Sequence, residues 1–238
     1  MIKFCVLFFI CGFNALAADP SAWSHESEAS IVQVGGNTTS ESYSAKQKTG
    51  YKLDTHIFTG AARYLQSKAN QVETAKQWDA SVRYEKELGE NWGLFLQHGA
   101  ESDSYAGYIQ RDNSDIGGKY IFLKESDQNF FGEVGYRYIK TQFISGEMTY
   151  ANSGRVYLEY SAKLNDSVTG KFWAEYMPNF TVSDAYLLNY EPSVNVMMSQ
   201  ILSLKVAYLV KYHNKTDPNK ANEKKEDTSF TTALVAKF

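Results

Sequence analysis

Cysteine is scarce in this sequence: the 238 residues include only two, Cys5 and Cys11, and both lie within the first seventeen positions. Long apolar runs are scarce as well, because no segment after residue 17 is hydrophobic enough to form a membrane-spanning helix. The formal net charge is −3 at pH 7, which gives no electrostatic footprint for nucleic acid. These absences argue against a helical membrane protein and against a nucleic-acid-binding protein.

The first seventeen residues have the pattern of a cleaved export signal. A short basic start is followed by an apolar run from Phe4 to Phe13, and Ala15 and Ala17 supply a small-x-small cleavage site. The apolar run is shorter than the ~20 residues of a helical span. We therefore expect export, cleavage after Ala17 and a mature chain, 18–238, without cysteine. Such a chain must be held together by its fold or by a membrane rather than by disulfides.

What is abundant after the leader is a two-residue periodicity rich in tyrosine and phenylalanine. For example, Trp78, Ala80, Val82 and Tyr84 alternate with polar neighbours, which is typical of a β-strand with two different faces. Turn residues divide the chain into about twelve such strands, at 28–37, 40–52, 56–66, 73–87, 91–102, 105–123, 128–144, 147–163, 167–179, 184–198, 201–214 and 227–238. The prediction is an all-β protein, a transmembrane antiparallel up-and-down β-barrel.

The connections between these strands fall into two alternating classes, and an even strand number puts both termini on one side. One class is tight and includes Leu53 to Thr55, Leu88 to Asn91, and Leu164 to Ser167. These are predicted to be periplasmic turns. The other class includes Gly35 to Ser40, Ser67 to Val72, Asn179 to Asp184 and the polar stretch Asn214 to Asp227, all predicted to face outward from the cell.

Alternation also fits a soluble barrel whose apolar face points inward, so other features must distinguish the two. Aromatic residues near the strand ends, such as Trp92 and Tyr120, fit the girdles of a membrane barrel. Charges of both signs occupy the middle of the polar faces, where an ion-paired lumen accommodates them. The predicted lumen charges are Arg83, Arg111, Glu133, Arg137, Glu159, Lys171, Glu175, Lys205 and Lys211.

The last strand carries the most specific feature. Phe230, Leu234 and Phe238 lie on one face of it, and this pattern resembles the C-terminal sorting signal that barrel-assembly machinery recognises. Such a strand can pair by addition to an open sheet edge. We therefore expect the outer membrane of a Gram-negative bacterium as the location, and the assembly machinery, membrane lipids and lipopolysaccharide as partners.

The order of these features resembles the YdiY-like family of salt-induced outer-membrane proteins, whose function is poorly defined. The opening Gly36-Asn37-Thr38 and the stretch from Arg111 to Ile116-Gly117-Gly118-Lys119-Tyr120 carry most of the resemblance, with Trp78 between them. Phe131 to Tyr136 and the closing Asp227 to Phe238 extend it over nearly the whole mature chain. The resemblance implies a location, a fold and a response to salt or osmotic conditions, but no reaction.

The sequence predicts neither a metal site nor a cofactor, because its four histidines are scattered and lack the spacing of a ligand set. The one local candidate for nucleophilic chemistry is the stretch from His98 to Ser104, which contains two serines and two carboxylates. The same stretch is also typical of a polar turn between two strands. Gly117-Gly118 is better interpreted as a close strand contact than as a phosphate cradle.

Three functions therefore remain open at this point. The first is a non-enzymatic envelope protein, either a narrow pore whose fixed charges set ion selectivity or a structural barrel filled by ion pairs. The second is a membrane-embedded acyl hydrolase or transferase that uses His98. The third is a soluble exported barrel that binds an apolar ligand. The lysines of Asn214 to Asp227 would contact lipopolysaccharide phosphates, although a charged loop is more often simply solvated.

Overall fold

The computed structural model describes residues 22–34, 39–215 and 224–238, and in this part the chain forms twelve antiparallel strands. No helix in these ranges is long and apolar enough to cross a membrane. The predicted leader, 1–17, lies outside the described residues. The strands are β1 Trp23–Val34, β2 Ser40–Leu53, β3 His56–Ala69, β4 Val72–Glu87, β5 Trp92–Asp103, β6 Tyr108–Lys124, β7 Gln128–Phe143, β8 Met148–Lys163, β9 Val168–Pro178, β10 Tyr186–Met197, β11 Leu202–His213 and β12 Glu226–Lys237.

Each strand pairs with its sequence neighbours, and β12 pairs with β1, so that the sheet closes into an up-and-down barrel. The closing seam is short: only Glu26 to Ala29 of β1 pair in register with β12. His25 and Phe238 extend this seam through two backbone hydrogen bonds, of 2.8 and 3.1 Å. Closure joins the two edges of the sheet along this stretch, and a closed sheet is the condition for crossing a lipid layer with strands. The distal part of β1, beyond Ala29, has no register partner on β12.

The predicted fold class is therefore confirmed, and most predicted strand limits agree with the structure to within three residues. The largest difference is at β1, which begins at Trp23 rather than at residue 28. The alternation of Trp23, His25 and Ser27 with Ser24 and Glu26 is not apolar against polar, so hydrophobic periodicity does not detect the start of this strand. The predicted end of β1 at residue 37 lies outside the described residues.

Five connections close the barrel at the end that carries both termini, here called the terminal end, and all five are short, as predicted. At the opposite, distal end, the connection predicted at Ser67 to Val72 is tight as well. There β3 continues to Ala69 and meets β4 through Asn70 and Gln71, whose φ angles are 48° and 67°. Two successive residues with positive φ are typical of the tight hairpin turn whose twist matches its strands.

The two faces of the barrel have opposite polarity. Outward-facing Val134 is 67% exposed, whereas its inward-facing neighbour Glu133 is 5% exposed; Ile116 and Asp115 differ in the same way, at 57% and 5%. Apolar side chains thus cover the outside, and charged side chains are buried inside. This arrangement excludes the soluble barrel with an apolar interior and is the one that lipid requires.

Aromatic side chains form belts near both ends of the outer surface. At the terminal end, Trp23, Tyr51, Phe58 and Tyr84 pack in sequence across four strands. A second group around Trp92 and Tyr120 continues this belt on β5 and β6. At the distal end, Tyr176, Tyr186 and Tyr212 are in contact across β9, β10 and β11. Belts at two levels match the two interfaces of a bilayer.

Two facing glycines make a flat area on the inner surface. Gly117 on β6 and Gly135 on β7 are direct partners in register, and Phe95 on β5 lies over Gly117 with only 1% of its surface exposed. A Cβ atom on Gly117 would lie 2.7 Å from the Phe95 ring and 2.5 Å from the Val134 carbonyl oxygen. The predicted close contact at Gly117 is therefore confirmed, because any side chain there would displace the ring and the backbone.

We expect Gly117→Ala to lower the free energy of unfolding by about 1–3 kcal/mol, because the added methyl group overpacks against Phe95 and a backbone carbonyl. Gly60→Ala is the matched control, since nothing lies within 4 Å of a Cβ built on this mid-strand glycine. Urea unfolding in detergent micelles, followed by tryptophan fluorescence, measures both. Equal stabilities of the two variants would contradict the assignment of a tight contact at Gly117.

Candidate functional site

The inward-facing charges form the candidate site. Arg83, Glu133, Arg137 and Glu175, all predicted lumen residues, come together in one cluster. Four further residues complete it, and the cluster is here called the lumen network. Its members, from β4, β6, β7, β8 and β9, are Arg83, Glu85, Asp115, Lys119, Glu133, Arg137, Arg155 and Glu175.

Glu133 is the centre of this network. Its carboxylate accepts hydrogen bonds from Arg83 on β4, at 2.7 Å, and from Arg155 on β8, at 2.6 Å. Arg83 and Glu133 are three strands apart, and the guanidinium reaches across β5 and β6 because Phe95 lies flat on Gly117. The Arg83 guanidinium carbon is 4.0 Å from the centre of the Phe95 ring. The glycine pair thus allows a salt bridge that spans a quarter of the barrel.

The network continues on both sides of Arg155. Arg155 also donates to Glu175 on β9 at 2.6 Å, and Arg137 makes two hydrogen bonds of 2.7 Å to the Asp115 carboxylate. On the other side, Glu85 bonds both Arg83, at 3.0 Å, and Lys119, at 2.9 Å. Each charge therefore has at least one partner of opposite sign, as buried charges require.

The remaining predicted lumen charges lie outside this network. Glu159 pairs with Lys171 at 2.8 Å, Arg111 with Glu101 at 3.2 Å, and Lys205 is 3.3 Å from both Glu28 and Glu191. Lys211 points inward by register near the distal end of β11, where it is exposed. The structure therefore places all nine predicted residues on the inner face.

The two sides of the lumen differ in how accessible they are. Side chains of the network are between 1% and 19% exposed, and Asp115, at 1%, is the most enclosed. On the opposite side, Lys171 is 37% and Arg63 is 35% exposed, and Lys48 is an exposed residue. This second region, the inner faces of β2 and β3 together with Lys171 on β9, is here called the accessible side. Glu28 and Lys205, on β1 and β11, are 11% and 14% exposed and belong to neither region.

Sequence analysis missed half of the lumen network, namely Glu85, Asp115, Lys119 and Arg155. All four follow from the two-residue period that located the others: Arg155 is two positions before Tyr157, and Asp115 is two positions before Gly117 on the inward face. Nothing among their sequence neighbours indicates that these four residues are partners. The curvature of the closed barrel is what brings the inward side chains of β4, β6 and β8 close to one another.

The predicted catalytic candidate is not assembled. His98 and Ser102 lie on the outward face, and His98 Nδ1 hydrogen-bonds to Ser114 Oγ at 2.9 Å rather than to Ser102. In the ranges that the structure describes, no carboxylate is hydrogen-bonded to His98, so the pair lacks the third member of a triad. Nor do these ranges contain a cluster of three or more side chains suited to hold a metal ion.

A closed barrel with an apolar exterior, aromatic belts and an ion-paired interior defines the class: it is an outer-membrane β-barrel. Within this class the chain belongs to the family described as "Protein of unknown function, DUF481", whose profile matches residues 27–238. This is the YdiY-like family, so the family resemblance seen in the sequence is confirmed. No curated protein sequence matches the chain.

Among the solved structures with a similar fold are two porins and a channel. The chain is similar to the NanC porin, with 13% identity, a TM-score of 0.55 and coverage of 90% of this chain and 98% of that one. The COG4313 outer membrane channel from Pseudomonas putida F1 shares 12% identity, with a TM-score of 0.56 and coverage of 91% and 94%. The KdgM porin shares 11%, with a TM-score of 0.51 and coverage of 90% and 99%. At these identities the likeness shows the fold.

We expect Glu133→Gln to destabilise the barrel by about 3 kcal/mol, because two enclosed guanidinium groups lose the carboxylate that neutralises them. Glu87→Gln is the control: its partner Lys52, at 2.8 Å, is half exposed, and an exposed pair contributes less than about 1 kcal/mol. Urea unfolding in micelles compares the two. A loss for Glu133→Gln no larger than that for Glu87→Gln would show that the network is not a stabilising element.

Proposed function

We propose that this protein is a narrow, water-filled pore of the outer membrane, through which small solutes pass along the accessible side of the lumen. The observation that supports the proposal is that inward-facing side chains are enclosed on one side of the lumen and exposed on the other. The lumen network fills the side of β4 to β9, whereas water reaches Lys48, Arg63 and Lys171 on the other side. A structural barrel sealed by ion pairs would be closed on both sides.

Small inward residues support an open path. The inner faces of β2, β3 and β4 carry Ser44, Gly50, Ala61 and Ser81, none of which projects far toward the barrel axis. Barrels of about eight strands are filled by side chains, whereas those of sixteen or more hold wide channels. A twelve-stranded barrel packed on one side is consistent with a passage of intermediate width.

The proposal includes the predicted envelope setting. With both termini at the tight-turn end, that end lies in the periplasm, as in barrels inserted from that side. Outer-membrane lipids and lipopolysaccharide surround the apolar exterior, and the assembly machinery inserts the chain. A response to salt or osmotic conditions stays a prediction from the family resemblance.

We expect purified protein in planar bilayers to give discrete current steps. Phe95→Ala should raise the single-channel conductance, by about twofold, because this enclosed ring occupies the lumen and anchors the Arg83 guanidinium across it. Val134→Ala, a truncation on the lipid face, should leave the conductance unchanged. Protein that is folded by circular dichroism but gives no current steps would refute the pore.

The last strand is expected to guide assembly. Phe230, Leu234 and Phe238 all project from the outer face of β12, and the Phe238 ring stacks on His25 of β1 with centroids 5.4 Å apart. An accessible apolar face at the closing seam suits recognition by strand addition. We propose that this face is the sorting signal.

We expect Phe238→Ala to reduce the heat-modifiable, folded form in outer-membrane fractions severalfold, because both the recognition face and the seam lose an aromatic contact. Phe172→Ala removes an outward-facing ring from β9 and is the matched control. Gel mobility of unheated membrane samples measures the folded fraction. Equal folded fractions for the two variants would contradict a special role for Phe238.

A further inference from the structure

We infer that the pore prefers small anions, such as chloride and inorganic phosphate, and that Lys46 and Lys48 in the middle of β2 set this preference. The inference rests on the proposed pore function and names the class of solute that the accessible side selects. It follows from how the inward charges pair with one another.

Nearly every acidic side chain of the inner surface has a basic partner. The inward acids that have a basic partner within 4 Å are Glu26, Glu28, Asp79, Glu85, Glu87, Glu101, Asp115, Glu133, Glu159, Glu175 and Glu191. Two others, Asp103 and Asp227, lie at the distal strand ends, where the inward Lys211 also lies. The middle of the lumen therefore presents no free carboxylate in the described part of the chain.

Lys46 and Lys48 are the exceptions among the mid-strand charges. Neither ammonium has a carboxylate oxygen within 4 Å among residues 22–34, 39–215 and 224–238. The acids directly across on β1 are Glu28, opposite Lys46, and Glu26, opposite Lys48. Both are already engaged, because Glu28 bonds Lys205 at 3.3 Å and Glu26 bonds Lys237 at 3.0 Å. Because Lys205 is shared by Glu28 and Glu191, the paired groups contain one carboxylate in excess, so Lys46 and Lys48 together leave a net surplus of one positive charge beside the open path.

Two further cations line the same space, each of them in one ion pair. Arg63 on β3 is the register partner of Lys46, and its single ion pair, with Asp79, leaves it 35% exposed. Lys171 on β9, paired with Glu159 at 2.8 Å, is 37% exposed. Fixed charges enclosed by a low-dielectric wall concentrate mobile ions of opposite sign. In the described residues, an anion entering this space meets two ammonium groups that make no ion pair, and a cation meets carboxylates that already have a basic partner.

The exposure of these lysines indicates passage rather than tight binding. Lys48 is exposed to lumen water and Lys46 is half-buried, and an ammonium is a compact, strongly hydrated donor on a flexible stem. Anions would therefore exchange between water and the lysines without losing their whole hydration shell. Conduction requires such weak sites, from which an ion can leave.

Reversal potentials across planar bilayers test this inference. In a potassium chloride gradient, the wild-type barrel should pass chloride more readily than potassium. The double variant Lys46→Gln/Lys48→Gln should lower the chloride-to-potassium permeability ratio by about twofold or more. The preference should also weaken between about 0.1 M and about 1 M salt, as the Debye length falls from ~10 to ~3 Å.

Lys76→Gln/Lys140→Gln is the matched control, because both lysines lie on the outward face near the distal end and lack a carboxylate partner in the described ranges. It removes the same charge but should leave the permeability ratio unchanged. If the wild type conducts without preferring anions, or if the two double variants change the ratio equally, the inference is wrong while the pore stands. No conduction at all would instead refute the proposed pore.

Discussion

A strand that crosses lipid has no water to satisfy its backbone, and this constraint shapes the whole molecule. Every N–H and C=O group in the hydrocarbon layer must pair with a neighbouring strand, so the sheet has to close. Closure then determines which way each side chain points, because successive residues alternate between lipid and lumen. Charged side chains within the hydrocarbon layer must therefore point into the lumen. The apolar exterior and the ionic interior are therefore two consequences of the same backbone requirement.

Bringing many charges into a narrow interior has a desolvation cost, and the lumen network shows how the chain offsets it. Glu133 is shared by two arginines, and Arg155 is shared by two carboxylates. Such alternation of sign satisfies several guanidinium donors at once, with the bidentate geometry that arginine favours. The glycine pair on β6 and β7 is part of this arrangement, because it makes room for Phe95 and so for the reach of Arg83. The salt bridge between Arg83 and Glu133 therefore depends on the packing of Phe95 against the glycine backbone.

The same network explains why the interior is asymmetric. Arginines dominate on the side of β4 to β9, where they are tightly paired and little exposed, whereas the side near β2 has lysines with small neighbours. A lysine ammonium bonds less rigidly than a guanidinium and keeps its water more readily. One side is therefore suited to hold the barrel together and the other to contact mobile solutes. The proposed roles of the two sides, stabilisation by arginine pairs and solute contact by lysines, follow from this difference between guanidinium and ammonium groups.

The amino-acid sequence by itself determined the class, the number of strands and the face of each side chain, because a period of two is a local property of the chain. It placed Arg83, Glu133, Arg137 and Glu175 on the inner face, but it did not pair them. Apart from Glu85, which is close to Arg83 in sequence, their partners are 20 to 50 residues away. Asp115 and Arg155 showed nothing unusual among their sequence neighbours. Which charges neutralise each other, which lysines are left over and where water enters were decided only by the tertiary structure. The physical reason is that these properties depend on distances across a closed barrel, and closure brings together strands that the sequence keeps apart.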